Sequence, residues 1–292
     1  MQGLLPYIIN GISAGGQYAL IAIGYTLVYG ILRLINFAHG DVFMVAGLIM
    51  VYASASMPMY IALPLVIVAT ALLGFLIERA AYKPLRSAPR MSVMISAIGV
   101  SYLLQNLATY ITGGLARPYP EIPFLKGTFM LGALKIKIIT VVTPLLTILL
   151  VIALVLFINH TKTGMAMRAV SRDFDTARLM GIKVNNIISV TFIIGSFLAG
   201  VGSILYFSNY GQVSPTIGAM PGLKAFVAAV FGGIGSIPGA VLGAYIIGIC
   251  ESLIKANDAI AIFSNAFTFA LLILVLLFKP NGMFGEKLAE KV

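Results

Sequence analysis

Asn36, His39 and Asp41 stand in the segment INFAHGD, between two long apolar runs, where each polar side chain is costly unless it finds a partner. Ionisable groups placed this way are functional-site candidates by default. Two roles fit them. They could line a translocation path, or cap and join two helices across a fixed bend that includes Gly40, with Asp41 near the N-terminus of the second helix, where negative charge is favourable. Glu251 poses the same choice farther along: Lys255 lies four residues on, so an i, i+4 ion pair is the plain account and a gate the functional one. Tyr18, Tyr25 and Tyr29 recur at helical spacing, which suits packing or interface positions better than a ligand cage.

Enzymatic chemistry finds little to work with. The two histidines, His39 and His160, have no HExxH spacing and no paired carboxylates, so neither a catalytic residue nor a metal site is expected. The one cysteine, Cys250, excludes an internal disulfide and any CxxC motif. No G-x-x-x-x-G-K-[ST] occurs, and the glycine-rich GGIGSIPG at 232–239 lacks the phosphate-binding lysine, so the chain itself is not expected to hydrolyse ATP.

The elements that must position these residues are membrane helices. Of 292 residues 60% are hydrophobic and 10% charged, and the mean hydropathy of +1.03 lies far above that of a soluble domain. A spanning helix needs about 20 mostly apolar residues to cross about 30 Å of hydrocarbon. Runs such as PLLTILLVIALVLFI at 144–158 are apolar on every face, which fits helices and not the alternation of barrel strands. The expected fold is an all-α, polytopic helix bundle, a single transmembrane domain over residues 1–292. Spans are read at 7–32, 41–56, 59–77, 92–111, 139–158, 187–207 and 259–278, with an irregular apolar region at 223–254. No basic n-region precedes the first apolar stretch, so no cleavable leader is expected.

The net charge of +10 reads as Lys and Arg gathered on the cytoplasmic side; with no soluble domain to carry a basic patch, a nucleic-acid partner is not expected. Arg79, Lys83, Arg86 and Arg90, then Lys162, Arg168, Arg172, Arg178 and Lys183, then the tail with Lys279, Lys287 and Lys291 are placed inside. The loop at 112–138 is placed outside, although Arg117, Lys126, Lys135 and Lys137 weaken the contrast. With 209–221 outside and the tail inside, the region 223–254 cannot be one simple crossing, giving eight or nine spans in all. Gly232, Gly233, Gly235 and Gly239 with Pro238 supply the break, so two short helices in a hairpin are expected, their turn enclosed by protein or at a cytoplasmic contact. The same glycines also suit a close helix-packing seam.

Residues 161–186 read as an amphipathic cytoplasmic helix: Met167, Val170, Phe174, Ala177 and Gly181 form one stripe, while Arg168, Arg172, Asp175 and Arg178 take other faces. Such a helix could lie on anionic lipid, stand in solvent, or dock in a groove of another protein. Within it DTARLMG, 175–181, resembles the E-A-A-x-x-x-G motif of ABC-importer permeases, with Asp for Glu, Thr176 for the first Ala, and no downstream I-x-L-P. Four blocks extend the likeness: GGQYALIAIGYTLVYGILRLINFAHGDVFMVAG, ERAAYKPLR, TGMAMRAVSRDFDTARLMGI and AFVAAVFGGIGSIPGAVLGAYIIGICE. Over nearly its whole length the chain resembles the high-affinity branched-chain amino-acid permease family, the shorter of its two membrane subunits.

The resemblance implies an importer in a prokaryotic inner membrane, in which this subunit pairs with a second homologous permease, two cytoplasmic ATPases that bind the ATP, and an external solute-binding protein. It makes 161–186 the coupling region, with Arg168, Arg172, Asp173, Asp175, Ala177 and Gly181 as its residues. A permease for urea or short amides looks similar over the same blocks, and an ion-driven secondary transporter is the alternative mechanism.

Overall fold

The computed structural model describes residues 3–86, 88–131, 134–279 and 282–284; Lys287 and Lys291 lie outside the described residues. The chain begins with α1 (Leu5–Leu32), opened by Pro6 in its first turn and closed by Arg33, whose left-handed φ of 55° lets its N–H bond to Tyr29 O. After the bend come α2 (His39–Ser56) and α3 (Met59–Ile77), the latter continuing through a π turn at Glu78–Tyr82 and a 3₁₀ turn at Lys83–Leu85. α4 (Arg90–Thr112) ends at Gly113, and α5 is Ile138–His160.

Among the described residues seven helices are long and apolar enough to cross a membrane: these five, α8 (Val184–Tyr210) and α10 (Ile237–Ile254). Two shorter apolar helices join them, α9 (Ala219–Gly232) and α12 (Ser264–Phe278). Short α6 (Lys162–Arg172), α7 (Phe174–Leu179) and α11 (Asp258–Ala261) complete the helices.

α1 is the hub, packed against α10, α8, α9 and α5. Its buried face is rich in small and polar residues, among them Gly11, Ser13, Gly15, Gly16 and Gln17. Lipid is as apolar as leucine, so in a membrane burial favours close backbone approach over greasiness, and the greasiest surfaces turn outward. α4 and α5 accordingly expose Ile95, Leu103 and Leu107, and Leu145, Leu149 and Ile152. α5 keeps Thr140, Thr143 and Thr147 buried, and the Thr147 hydroxyl donates to Gly16 O at 3.2 Å, tying it to the hub.

Two expectations need correction. The stretch 259–278 is not one helix: Asn257 caps α11 by accepting the Ala259 N–H at 3.1 Å, and the chain restarts at Ser264, leaving α12 with 15 residues. At 1.5 Å per residue that is about 22 Å, shorter than the hydrocarbon core. In the region 223–254 only α9 is short, with 14 residues; α10 has 18, enough to cross. The loop at 112–138 carries two strand pairings: β1 (Arg117–Pro118) lies antiparallel to β4 (Gln212–Val213), and β2 (Thr128–Leu131) to β3 (Leu134–Lys137), with Thr128 opposite Lys137.

Candidate functional site

The bend after α1 is held from three sides. Asn36 Oδ1 accepts the Tyr82 hydroxyl at 2.9 Å, joining the bend to the end of the α3 segment. His39 is fully enclosed, its ring packed against Gly24 with no room for a side chain there, and edge-on to Tyr25 with centroids 5.0 Å apart. Its Nε2 has no hydrogen-bond partner among the described residues. Gly40 lets the start of α2 meet Gly218 and Gly222: a Cβ there would stand 2.7 Å from Gly218 O.

Asp41 is the third residue of α2, but its carboxylate caps nothing in that helix. It accepts from Ser101 at 2.5 Å and from Gln105 Nε2 at 3.0 Å, both on α4, so the side chain crosses to the neighbouring helix instead of turning back to its own amides. Asp41→Leu is expected to destabilise the protein by about 2 kcal/mol, because two donors lose a charged acceptor. Asp41→Asn, which keeps one acceptor oxygen, should lose less than half of that in denaturant unfolding from mixed micelles.

Glu251 does more than pair along its helix. Its Oε1 accepts from Lys255 Nζ at 2.6 Å, as the i, i+4 spacing implied, and also from Lys224 Nζ at 2.6 Å, while Oε2 takes the Tyr18 hydroxyl at 3.0 Å. Lys224 is 7% exposed and Glu251 3%; the ammonium also lies 5.8 Å from the centre of the Tyr18 ring. One carboxylate thus holds α1, α9 and α10 together. Lys224 escaped the sequence reading, although a lysine within the apolar stretch AMPGLKAFVAAVF carries the signal that singled out Asp41. Glu78, wholly buried, was missed too: it pairs with Arg86 and accepts the Ser189 hydroxyl at 2.7 Å.

The glycine-rich turn joins α9 to α10. Gly233 and Gly235 have φ of 105° and 100°, conformations that side-chain-bearing residues rarely adopt. The Ser236 side chain then caps α10 by accepting the Gly239 N–H at 3.2 Å. Gly232 and Gly239 meet backbone to backbone. Orphan carbonyls at the end of α9 are met by the segment after α12: Met283 N–H donates to Phe231 O at 2.9 Å and Phe284 N–H to Gly232 O at 3.0 Å.

Residues 161–186 are not one helix. Thr161 caps α6, its hydroxyl accepting the Gly164 N–H at 3.0 Å. At Asp173 the backbone becomes extended, and its carboxylate accepts the N–H groups of Asp175 and Thr176, both at 2.9 Å, which ends α6 and starts α7. Met167, Val170 and Ala177 are buried, while Gly181, at φ 80°, is exposed past the end of α7. Arg168 holds α6 to the end of α5 through Asn159 Oδ1 at 2.9 Å. Asp175 is exposed and lies 3.7 Å from Arg178. The apolar tip is bare: Leu179 is 89% and Met180 78% exposed.

These parts meet at one end of the bundle. A cleft of about 590 Å³ is walled by Arg168, Ser171 and Arg172 of α6, by Tyr29 and Gly30 of α1, and by Gly235 and Ser236 of the turn. The bend at 33–41, the turn at 233–236 and the 161–186 segment therefore share the basic end of the molecule, whereas the Glu251 cluster is set apart from that cleft.

Long apolar helices, small-residue seams and a few buried charges make this a multi-pass helical membrane protein of the permease class. The chain belongs to the family of permease components of branched-chain amino acid transport systems, whose model matches residues 7–276. It is 41% identical to the high-affinity branched-chain amino acid transport system permease protein BraD of Pseudomonas aeruginosa, over 99% of this chain and 98% of that protein. With the corresponding permease protein LivH of Escherichia coli K12 the identity is 40%, over 99% and 97%. A probable branched-chain amino acid transport permease of Methanocaldococcus jannaschii is 31% identical over 91% of this chain and 88% of its own.

Proposed function

We propose that this protein is the membrane-spanning subunit of an ATP-driven importer for branched-chain amino acids in a prokaryotic inner membrane. It works beside a second homologous permease, two cytoplasmic ATPases that bind the ATP, and an external solute-binding protein. The basic end then faces the cytoplasm, as the positive-inside rule requires. The observation that carries the reading is the position of the bare Leu179–Met180 tip on a short capped helix whose neighbour, α6, walls the same cleft as the α9–α10 turn. A push on α7 reaches α6 through the Asp173 junction and from there the turn and the end of α1. ATPase closure thereby biases two arrangements of the spans, which is alternating access.

An apolar amino acid needs a pathway with few charges, and the pairing of Glu251, Lys224 and Lys255 keeps the buried charges occupied. Gly181→Asp forces a side chain onto a left-handed residue beside the tip, and Arg172→Glu reverses a charge in the cleft wall. Each is expected to abolish uptake of radiolabelled leucine by cells expressing the whole system while leaving membrane insertion intact. Uptake at the wild-type rate in either variant would reject the coupling role.

A further inference from the structure

A second cleft at the basic end, of about 370 Å³, lies on the other side of Arg33 from the first. Four arginines line it: Arg33 just after α1, Arg86 just after the α3 segment, Arg90 at the start of α4, and Arg178 on α7. Asp175 is the only carboxylate in its lining among the described residues, and it is already shared with Arg178. Glu78, the nearest buried anion, is taken up by Arg86 and Ser189.

The cations are poorly matched inside the protein. Arg86 donates to Glu78 and to Asn185 Oδ1, yet its buried Nε–H has no acceptor among the described residues. Burial lowers its guanidinium from the ordinary value, Glu78 raises it, and Arg178 and Arg79 lower it further. The Arg33 guanidinium has one long contact among the described residues, 3.5 Å to Ser171 O. The Arg90 side chain makes no hydrogen bond or ion pair among the described residues. A buried N–H without an acceptor beside an excess of guanidinium groups marks a place built for an anion with several oxygens.

The other wall is apolar, with Leu32, Leu34, Val93, Val184 and Ile188. Each of these lies at or within two turns of the end of a membrane helix, so the cleft grades from charged to apolar at interface depth. A free phosphate would use only half of such a surface, and an acidic protein loop would leave the apolar half bare. We propose that this cleft binds one anionic glycerophospholipid, its phosphate among Arg33, Arg86 and Arg90 and the start of an acyl chain against Val93 and Ile188. The lipid then braces α7 against the ends of α1 and α4.

Native mass spectrometry of the full-length chain, in the complex with which it purifies, tests this without reference to transport. Phosphatidylglycerol should be retained at least fivefold better than phosphatidylcholine carrying the same acyl chains. Arg90→Gln and Arg33→Gln, which break no buried ion pair, should each lower that retention about fivefold, the equivalent of about 1 kcal/mol per interfacial arginine. Lys126→Gln, in the strand-bearing loop between α4 and α5, should leave it unchanged. Equal retention of the two lipids, or selectivity that survives both arginine variants, overturns the proposal. So does displacement of the lipid by an equimolar soluble glycerol phosphate, which would show that the headgroup alone is read. Variants that keep the lipid but shed a protein component would assign the arginines to a protein contact instead.

Discussion

Gly248→Ala is expected to prevent α1 and α10 from closing, at a cost of about 3 kcal/mol. A methyl group built on Gly248 stands 2.6 Å from both Gly11 O and Gly15 Cα, and those atoms belong to the backbone of α1, the hub of the bundle. A side chain could rotate away; a backbone cannot. Relief therefore requires the two helices to separate along the whole seam, where Gly11 and Gly15 approach Ile249 Cα and Tyr245 Cα just as closely. The control is Gly99→Ala on α4, where nothing lies within 4 Å of the added methyl. There the helix should gain up to about 1 kcal/mol from propensity alone. Unfolding of the two purified variants in mixed micelles should place them on opposite sides of wild type. Equal stabilities would mean that the seam is looser than its geometry states.

How much of this was legible beforehand depends on the kind of force involved. Apolar runs long enough to span show in composition, so α1 to α5 and α8 could be read within a few residues, whereas the glycines at 232–239 hid α10 inside an apolar region read as two short helices. The break at 233–236 could be read because glycine and proline act locally, through backbone freedom and a missing N–H. Asp173 did not stand out as a helix break. Capping there depends on an aspartate adopting extended backbone in mid-segment, and the apolar stripe at spacings of three and four runs straight across it. Periodicity reports which face is covered, not whether the helix is continuous. Lys255 could be read as a partner of Glu251 from its spacing, but the partners on other helices were illegible for a different reason: Ser101 is 60 residues from Asp41, Lys224 is 27 from Glu251 and Tyr18 is 233 from it. Only the fold brings such pairs together. Sequence could mark these charges as expensive, and did so for all but Lys224 and Glu78. It could not say that the cost is offset by crossing to another helix.

That pairing makes Glu251→Leu the most damaging single substitution expected. Glu251 is the sole anion of its cluster, and without it Lys224, almost fully enclosed, keeps only the face of the Tyr18 ring. Removing one partner of a buried pair costs about 3–5 kcal/mol, since the charge left behind has no compensation. Lys224→Met should cost less, because Lys255 still holds the same carboxylate oxygen at 2.6 Å and is itself half exposed. The double variant Lys224→Met with Glu251→Leu removes both buried charges and should recover most of the loss, leaving Lys255 to reach water. Unfolding measured across this cycle separates two accounts of the cluster. If the double variant is as unstable as Glu251→Leu, the damage comes from lost packing around the Tyr18 hydroxyl and not from an orphaned ammonium. Recovery of stability assigns the damage to that ammonium, and leucine uptake by the recovered protein then shows whether the charges serve the path or only the fold: wild-type uptake means the fold alone.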